Sequence, residues 1–221
     1  QHLTAVANPM DHTSMLPQRP RPPSGALPHR SQGVSLIVVM VLLVVIAGLG
    51  FAAVQISLMG ERSARNDRDY QVAWQGSEAA LMDAEFDMRG PNSYGSARMG
   101  SFATNNITDF VANCGASGNA KGLCMPAVTG KPVWLTVNFT DTSSSAPTTE
   151  FGAFTGRSFA SGSNGIMPRR KPRYVIEAIP DTAVHGDASI GAPAKYVYRV
   201  TAMGFGPREN IQAAIKMTFR K

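Results

Sequence analysis

VSLIVVMVLLVVIAGLGFAAV, residues 34–54, carries no ionisable side chain, and Ser35 is its only hydroxyl. A helix of that length rises about 30 Å, the thickness of a bilayer's hydrocarbon core. The uncharged stretch is longer still, because no charged residue falls between Arg30 and Glu61. Core helices of soluble proteins are amphipathic and rarely apolar over so many consecutive positions, so the run reads as a membrane span. A cleaved secretory signal would have an apolar region of about 7–15 residues and a small-residue cleavage site before polar sequence. This run passes instead into QISLMGERSARND at 55–67 with no break in helical character.

On the N-terminal side, residues 1–33 hold Arg19, Arg21 and Arg30 against Asp11, and six of the chain's 15 prolines fall by position 28. That composition describes a flexible basic tail. The excess of positive charge places this end in the cytoplasm and everything after about residue 55 across the membrane. Residue 1 is glutamine, so a start at Met10 or Met15, with a shorter leader, is also expected to be compatible with the pattern.

On the C-terminal side, no proline occurs between Pro28 and Pro91, so the helix meets no covalent obstacle. Tyr70, Trp74, Ser77, Leu81, Ala84 and Met88 recur at alternating spacings of four and three, which is one amphipathic stripe expected to pack on the protein's own globular part. The helix should end at Arg89-Gly90-Pro91, where glycine caps and proline cannot continue. From Val34 to Met88 it would run about 80 Å at 1.5 Å per residue, a long spine carrying a small head. The division expected is therefore a leader at 1–33, a transmembrane part at 34–54, an amphipathic part at 55–89 and a β-rich head at 90–221.

Across the whole chain, 221 residues with 43% hydrophobic and 16% charged side chains suit one ordinary domain plus an extra segment and exclude a large multidomain machine. A net charge of +6 and an isoelectric point near 9.6 raise nucleic acid or an anionic membrane surface as partners. Distribution decides between them. The one dense basic cluster, PRRKPR at 168–173, has no interleaved aromatics on which bases could stack, so it reads as a solvated loop and no nucleic-acid partner is expected.

After Gly90 the composition turns to Gly, Ser, Asn and Thr with short β-like runs. Val133 to Phe139 alternates, and three clearer strands follow at Arg173–Ile179, Tyr196–Gly206 and Ile211–Phe219. In the last, Ile211, Ala213, Ile215, Met217 and Phe219 share one face, so one side of the sheet should be buried under the helix stripe. The link at 206–210 is short enough for an antiparallel hairpin. Residues 141–168, rich in Ser, Thr, Gly and Ala, read as a long surface loop. Cys114 and Cys124 are the only cysteines, and on the oxidising side of a membrane they should form a disulfide.

Little here suggests catalysis. His2, His12 and His29 lie in the leader and cannot reach the head where His185 falls, so no triad or metal cluster assembles, and no metal or cofactor is expected. Asp83, Glu85 and Asp87 stand at i, i+2, i+4 and do not converge on one side of a helix, so they read as solvated surface. Gly204-Phe205-Gly206 lacks the rest of a dinucleotide fingerprint and reads as a turn. Gly48 and Ala52 form a small-xxx-small pair of the kind that lets another membrane helix approach.

A basic leader ending in glycine, an apolar helix directly after it, an amphipathic extension and a β-sheet head make up a plan that resembles the type IV pilins, an α+β fold. More narrowly, ERSARNDRDYQVAWQGSEAALMDAE at 61–85 is similar to the helix signature of the PilX group of minor pilins, with Glu61, Arg62, Asn66, Arg68, Asp69, Gln75, Glu78, Ala79, Ala80, Leu81, Asp83, Ala84 and Glu85 in matching places. GLCMP at 122–126, PRYVIE at 172–177 and YRVTAMGFG at 198–206 resemble the group's later blocks. The resemblance implies cleavage by prepilin peptidase after Gly33 and N-methylation of Val34. It also implies partners: other minor pilins, the major pilin, the inner-membrane assembly platform and a pilus-tip adhesin. The fifth mature residue of this family is usually Glu, which pairs with a neighbouring subunit's terminal amine, and here it is Val38. That departure fits a subunit at or near the tip that primes assembly. A membrane-anchored periplasmic binding or sensor protein, a secreted enzyme and a type II secretion minor pseudopilin are the competing expectations.

Overall fold

Helix α1 runs over Val34–Arg89, 56 residues without interruption, since no proline intervenes to remove a backbone donor. Its end is chemical. Gly90 adopts φ +70° and its N–H donates to the Phe86 carbonyl at 2.7 Å, closing the last turn in the left-handed conformation that favours glycine. The structure, a computed structural model, describes residues 34–90, 96–102, 107–181 and 195–220. The leader, Gly33, Pro91 and all four histidines lie outside the described residues. The chain divides between Ala53 and Val54 into two units.

In the first unit the described residues are all helical, and every described side chain from Ser35 onward is exposed. The second unit combines the rest of α1 with a short helix α2 (Ser96–Gly100) and a five-stranded sheet. Its strands are β1 (Leu123–Cys124), β2 (Thr149–Glu150), β3 (Arg173–Pro180), β4 (Tyr196–Phe205) and β5 (Gln212–Arg220). The order is β1-β3-β4-β5, with β2 also paired to β3. The sheet is antiparallel except for the β1–β3 pair, where Leu123 aligns with Ile176. β4 and β5 form the expected hairpin, closed by the Gly206 N–H donating to the Ile211 carbonyl at 2.8 Å. The architecture is α+β.

Both faces of the sheet centre are covered, contrary to the expectation of one buried side. On one face Ala80, Leu81, Ala84 and Met88 of α1 pack with Tyr174, Ile176, Ala178, Tyr198, Val200 and Ala202. On the other, Val175 and Phe205 pack with Cys114, Cys124, Val133 and Phe139. This second layer explains two further corrections. Val133 to Phe139 is no strand: a 3-10 turn over Val133–Leu135 carries Val133 and Phe139 inward, and both the N–H and the hydroxyl of Thr136 turn back to the Val133 carbonyl. An alternating pattern fits any segment that dips into a core at intervals, and β3 already pairs with β1 and β2 on one side and β4 on the other. Residues 141–168 are likewise more than surface, because β2 and the buried Ala146, Thr148, Phe151 and Thr155 tie them to the sheet.

The Gly204-Phe205-Gly206 segment is also not a turn throughout. Gly204 and Phe205 end β4, and a β-carbon at Gly204 would lie 2.0 Å from the Ala73 carbonyl oxygen of α1, so only glycine permits the approach. Gly76 faces it, with Gly204 Cα 3.5 Å from where its own β-carbon would stand. On β5, Ala213 is buried while Met217 is exposed, so the apolar face covers less of this edge strand than its alternation suggested.

Candidate assembly surfaces

The apolar half of α1 is built of side chains with nothing to cover them in the described chain. Among the described residues there is one helix long and apolar enough to cross a membrane; its mean hydropathy reaches 3.0 over the most apolar window, and none of that window is buried. Val38 is 50% exposed and offers no carboxylate. Gly48 and Gly50 have open space where a side chain would stand, and no second helix meets the Gly48–Ala52 pair among the described residues. Val34 is the first residue of α1.

Where charge returns, the arginines gather. Arg62, Arg65, Arg68 and Arg208 line a cleft with Asn66 and Asp69. Asp69, almost fully buried, accepts from Arg68 Nη2 at 3.1 Å and from Arg208 Nε at 3.0 Å, and Arg208 Nη2 also donates to Asn66 Oδ1 at 3.3 Å. Burial pushes the Asp69 carboxyl upward, but the hydrogen bonds and charges of Arg68 and Arg208 more than reverse it and hold the group below its ordinary 3.8. Arg65 pairs with Glu61 one turn back.

Farther along α1 the carboxylates behave in the opposite way to the sequence expectation. Asp83 and Asp87 are fully buried; Glu85, between them, is half-exposed and pairs with Arg89 at 3.2 Å. Asp83 accepts from the Gly152 N–H at 2.8 Å and from the Thr155 hydroxyl, with Arg157 at 3.8 Å. Asp87 accepts from Arg98 Nε at 3.0 Å and from the Tyr174 hydroxyl at 2.9 Å. Burial raises both carboxyls above 3.8 against the opposing pull of these donors, and burial beside Asp87 pushes the Tyr174 phenol well above its usual value. Arg98, itself buried, spends Nη1 on the Asn119 and Lys121 carbonyls at 2.9 and 2.8 Å and lies over the Phe154 ring at 3.4 Å. With every carboxylate oxygen occupied by a donor from α2, β3 or the 150–157 segment, the pair works as a clasp and not as an acid–base dyad.

The basic cluster is equally committed. Arg173 is buried and donates to the Thr148 hydroxyl at 2.7 Å, Lys171 and Arg173 both pair with Glu150, and Arg169 and Arg170 face Glu209. Each of the four cations thus has an acidic partner in the head. Cys114 and Cys124 form a disulfide, with Cys124 on β1 and both sulfurs in the second core layer. No group of His, Cys, Asp or Glu able to hold a metal ion occurs among the described residues.

Of the helix-packing residues, Leu81, Ala84 and Met88 lie in the core, whereas Tyr70 and Trp74 are 47% and 41% exposed. The face that packs is Asp69, Ala73, Ser77, Ala80, Leu81, Ala84 and Met88. The reason is the close helix–strand approach at Gly76 and Gly204: small residues let the backbones near each other and turn the aromatics outward. Trp74 Nε1 donates to Glu78 at 2.9 Å, and with Leu81 and Met82 the indole lines an apolar groove opposite Ile215, Met217 and Phe219 of β5. Sequence reasoning missed Asp83, Asp87, Arg98 and Thr155 as structural groups. The only available signal was that Asp83 and Asp87 stand four apart, on the same side as Ala80 and Ala84.

Two family models match the chain. One, described as PilX N-terminal, matches residues 32–81; the other, described as Type IV pilus assembly protein PilX C-term, matches residues 120–221. No curated protein and no solved structure matches it.

Proposed function

Since the chain belongs to the PilX family of type IV pilus assembly proteins, we propose that it is made as a prepilin, is cut by prepilin peptidase after Gly33 and carries an N-methylated Val34. It is a minor pilin that takes part in type IV pilus assembly, its α+β arrangement is that of the type IV pilin fold, and its long apolar helix anchors it in the membrane. The observation that carries the reading is α1 itself: one continuous helix first offers an uncharged, wholly exposed apolar surface and then a face that seats a sheet.

In this reading the N-terminus lies in the cytoplasm and the head in the periplasm, where the Cys114–Cys124 disulfide is stable. The apolar helix holds the subunit in the inner membrane, and on assembly it exchanges lipid for the helices of other minor pilins and the major pilin. The role is structural, with no catalytic step. Val38 supports a position at or near the tip, because a subunit with nothing above it needs no carboxylate for a neighbour's amine, whereas an unpaired carboxylate in lipid is costly. The assembly platform and a tip adhesin are the further partners.

Intact-mass and N-terminal analysis of protein from a membrane fraction, with and without active prepilin peptidase, tests the reading. A methylated Val34 that appears only with the peptidase is expected. An intact leader would instead make the chain a membrane-anchored periplasmic protein, and loss of the apolar helix would make it a secreted one. Tagged protein spread evenly along sheared pili would remove the tip position alone.

A further inference from the structure

We propose that the arginine cleft of Arg62, Arg65, Arg68 and Arg208 seats the phosphodiester headgroup of an anionic phospholipid while the protein is anchored in the membrane. Three observations converge on it. The first is depth. Arg62 stands three residues beyond Met59, the last apolar side chain of the uncharged stretch, on the same helix. The uncharged stretch from Ser35 to Gly60 rises about 39 Å as helix, more than the roughly 30 Å of hydrocarbon, so its first charged turn emerges among the headgroups.

The second is the state of the cations. Asp69 fixes Arg68 and Arg208 from behind, at 3.1 and 3.0 Å, and Asn66 steadies Arg208. Both guanidiniums nevertheless stay about half exposed. Among the described residues Arg65 is paired only with the exposed Glu61, and Arg62 has no hydrogen-bond or ion-pair partner. Guanidiniums held in place with free N–H groups match the oxygens of a phosphate, which a planar fork binds in pairs.

The third is what the cleft lacks. Its lining is Arg62, Arg65, Asn66, Arg68, Asp69 and Arg208, with no apolar side chain to receive the aromatic or aliphatic anchor on which a protein partner's affinity would centre. A headgroup needs no such anchor, because its acyl chains stay in the bilayer.

The inference rests on membrane anchoring and is independent of leader cleavage and of any place in the pilus. The test reconstitutes the full chain in nanodiscs of phosphatidylcholine, with and without phosphatidylglycerol, and counts retained lipids by native mass spectrometry. Wild type is expected to retain phosphatidylglycerol preferentially. Arg62→Gln should reduce that preference about fivefold, and Arg62→Gln with Arg65→Gln by a further factor of about five. Arg62→Gln removes no contact, so an unchanged thermal midpoint verifies that the fold is intact; Lys216→Gln, an exposed cation outside the cleft, should leave the preference as it is. Equal retention by wild type and the double variant would overturn the proposal. So would displacement by inorganic phosphate, which would make the cleft a site for a free anion. Extraction of the chain from membranes by alkaline carbonate would refute anchoring itself, an outcome distinct from an inserted chain with no lipid preference.

Discussion

Along helix α1, residues 35–59 hold apolar side chains outward, while residues 69–88 hold carboxylates inward. Each stretch departs from the usual arrangement, and for a different reason. An exposed Leu or Val forgoes about 1.5–3 kcal/mol relative to burial from water, so a stretch with dozens of uncovered methyl groups is built for another medium, lipid or neighbouring helices. The buried carboxylates need no other medium because their donors come from within: Gly152, Thr155, Arg98 and Tyr174. The first stretch is completed by other molecules, the second by the chain itself. That difference separates substitutions that alter assembly from those that alter folding.

The largest effect is expected where the second stretch is most self-contained. Asp87→Ala strands the buried Arg98 and the Tyr174 hydroxyl, and should destabilise the head by about 3–5 kcal/mol. Urea unfolding of the full chain in detergent, followed by fluorescence of Trp74 and Trp134, measures it; a change below about 1 kcal/mol would mean that the clasp is not structural. The same carboxyls give a pH signature. Both are raised above 3.8 by burial, so the folded chain binds protons more readily than the unfolded one. Their contribution therefore falls as pH rises through the raised values and grows as pH drops towards 3.8. Asp69, held below 3.8, should lose its contribution only below that value. The unfolding midpoint should hold or rise from neutral pH towards 4, and a steady fall over that range would contradict the burial.

Replacing Cys114 and Cys124 by serine should cost about 3 kcal/mol, the chain-entropy value for closing so short a loop, read by the same unfolding curve. Because the pair sits in the second core layer with Val175 and Phe205, the loss should weaken the head and leave membrane extraction unchanged. Glycine gives a matched comparison between the stretches. Gly204→Ala drives a β-carbon into the Ala73 carbonyl and should cost about 1–3 kcal/mol by overpacking, whereas Gly48→Ala meets nothing within 4 Å and should leave the unfolding midpoint where it is. Equal responses would show that the helix does not approach β4 closely enough at Gly204 to exclude a side chain.

The long apolar helix, its end and the last three strands were legible because each is local: a run without charge, a Gly-Pro stop, a period of two. The clasp was not, since nothing at Asp83 or Asp87 announces that Arg98 will arrive from a Gly- and Ser-rich segment or Thr155 from one without periodicity. The second core layer was hidden for the same reason. Val133 and Phe139 are an ordinary alternating pair until the sheet exists for them to cover. The arginine cleft was half visible, with Arg62, Arg65 and Arg68 spaced three apart in sequence, but Arg208 joins them only after the β4–β5 hairpin folds back.

The smallest effect is the one that separates a packed helix face from a free one. A stripe at spacings of four and three from Tyr70 to Met88 would make Trp74 as much a core residue as Leu81, and truncating either would then cost several kcal/mol. In the structure Leu81 is 6% exposed and Trp74 41%, its indole resting at the rim of a groove, hydrogen-bonded to Glu78 and tilted against the Tyr70 ring. Leu81→Ala should therefore cost about 2–5 kcal/mol and Trp74→Ala within about 0.5 kcal/mol, with Trp134 left to report unfolding. A Trp74→Ala cost near that of Leu81→Ala would rotate the packing face back towards the aromatics and loosen the Gly76–Gly204 approach that turned them out. A negligible cost, with the groove left open beside β5, would place the indole with residues 35–59 among the apolar groups that the folded chain does not cover for itself.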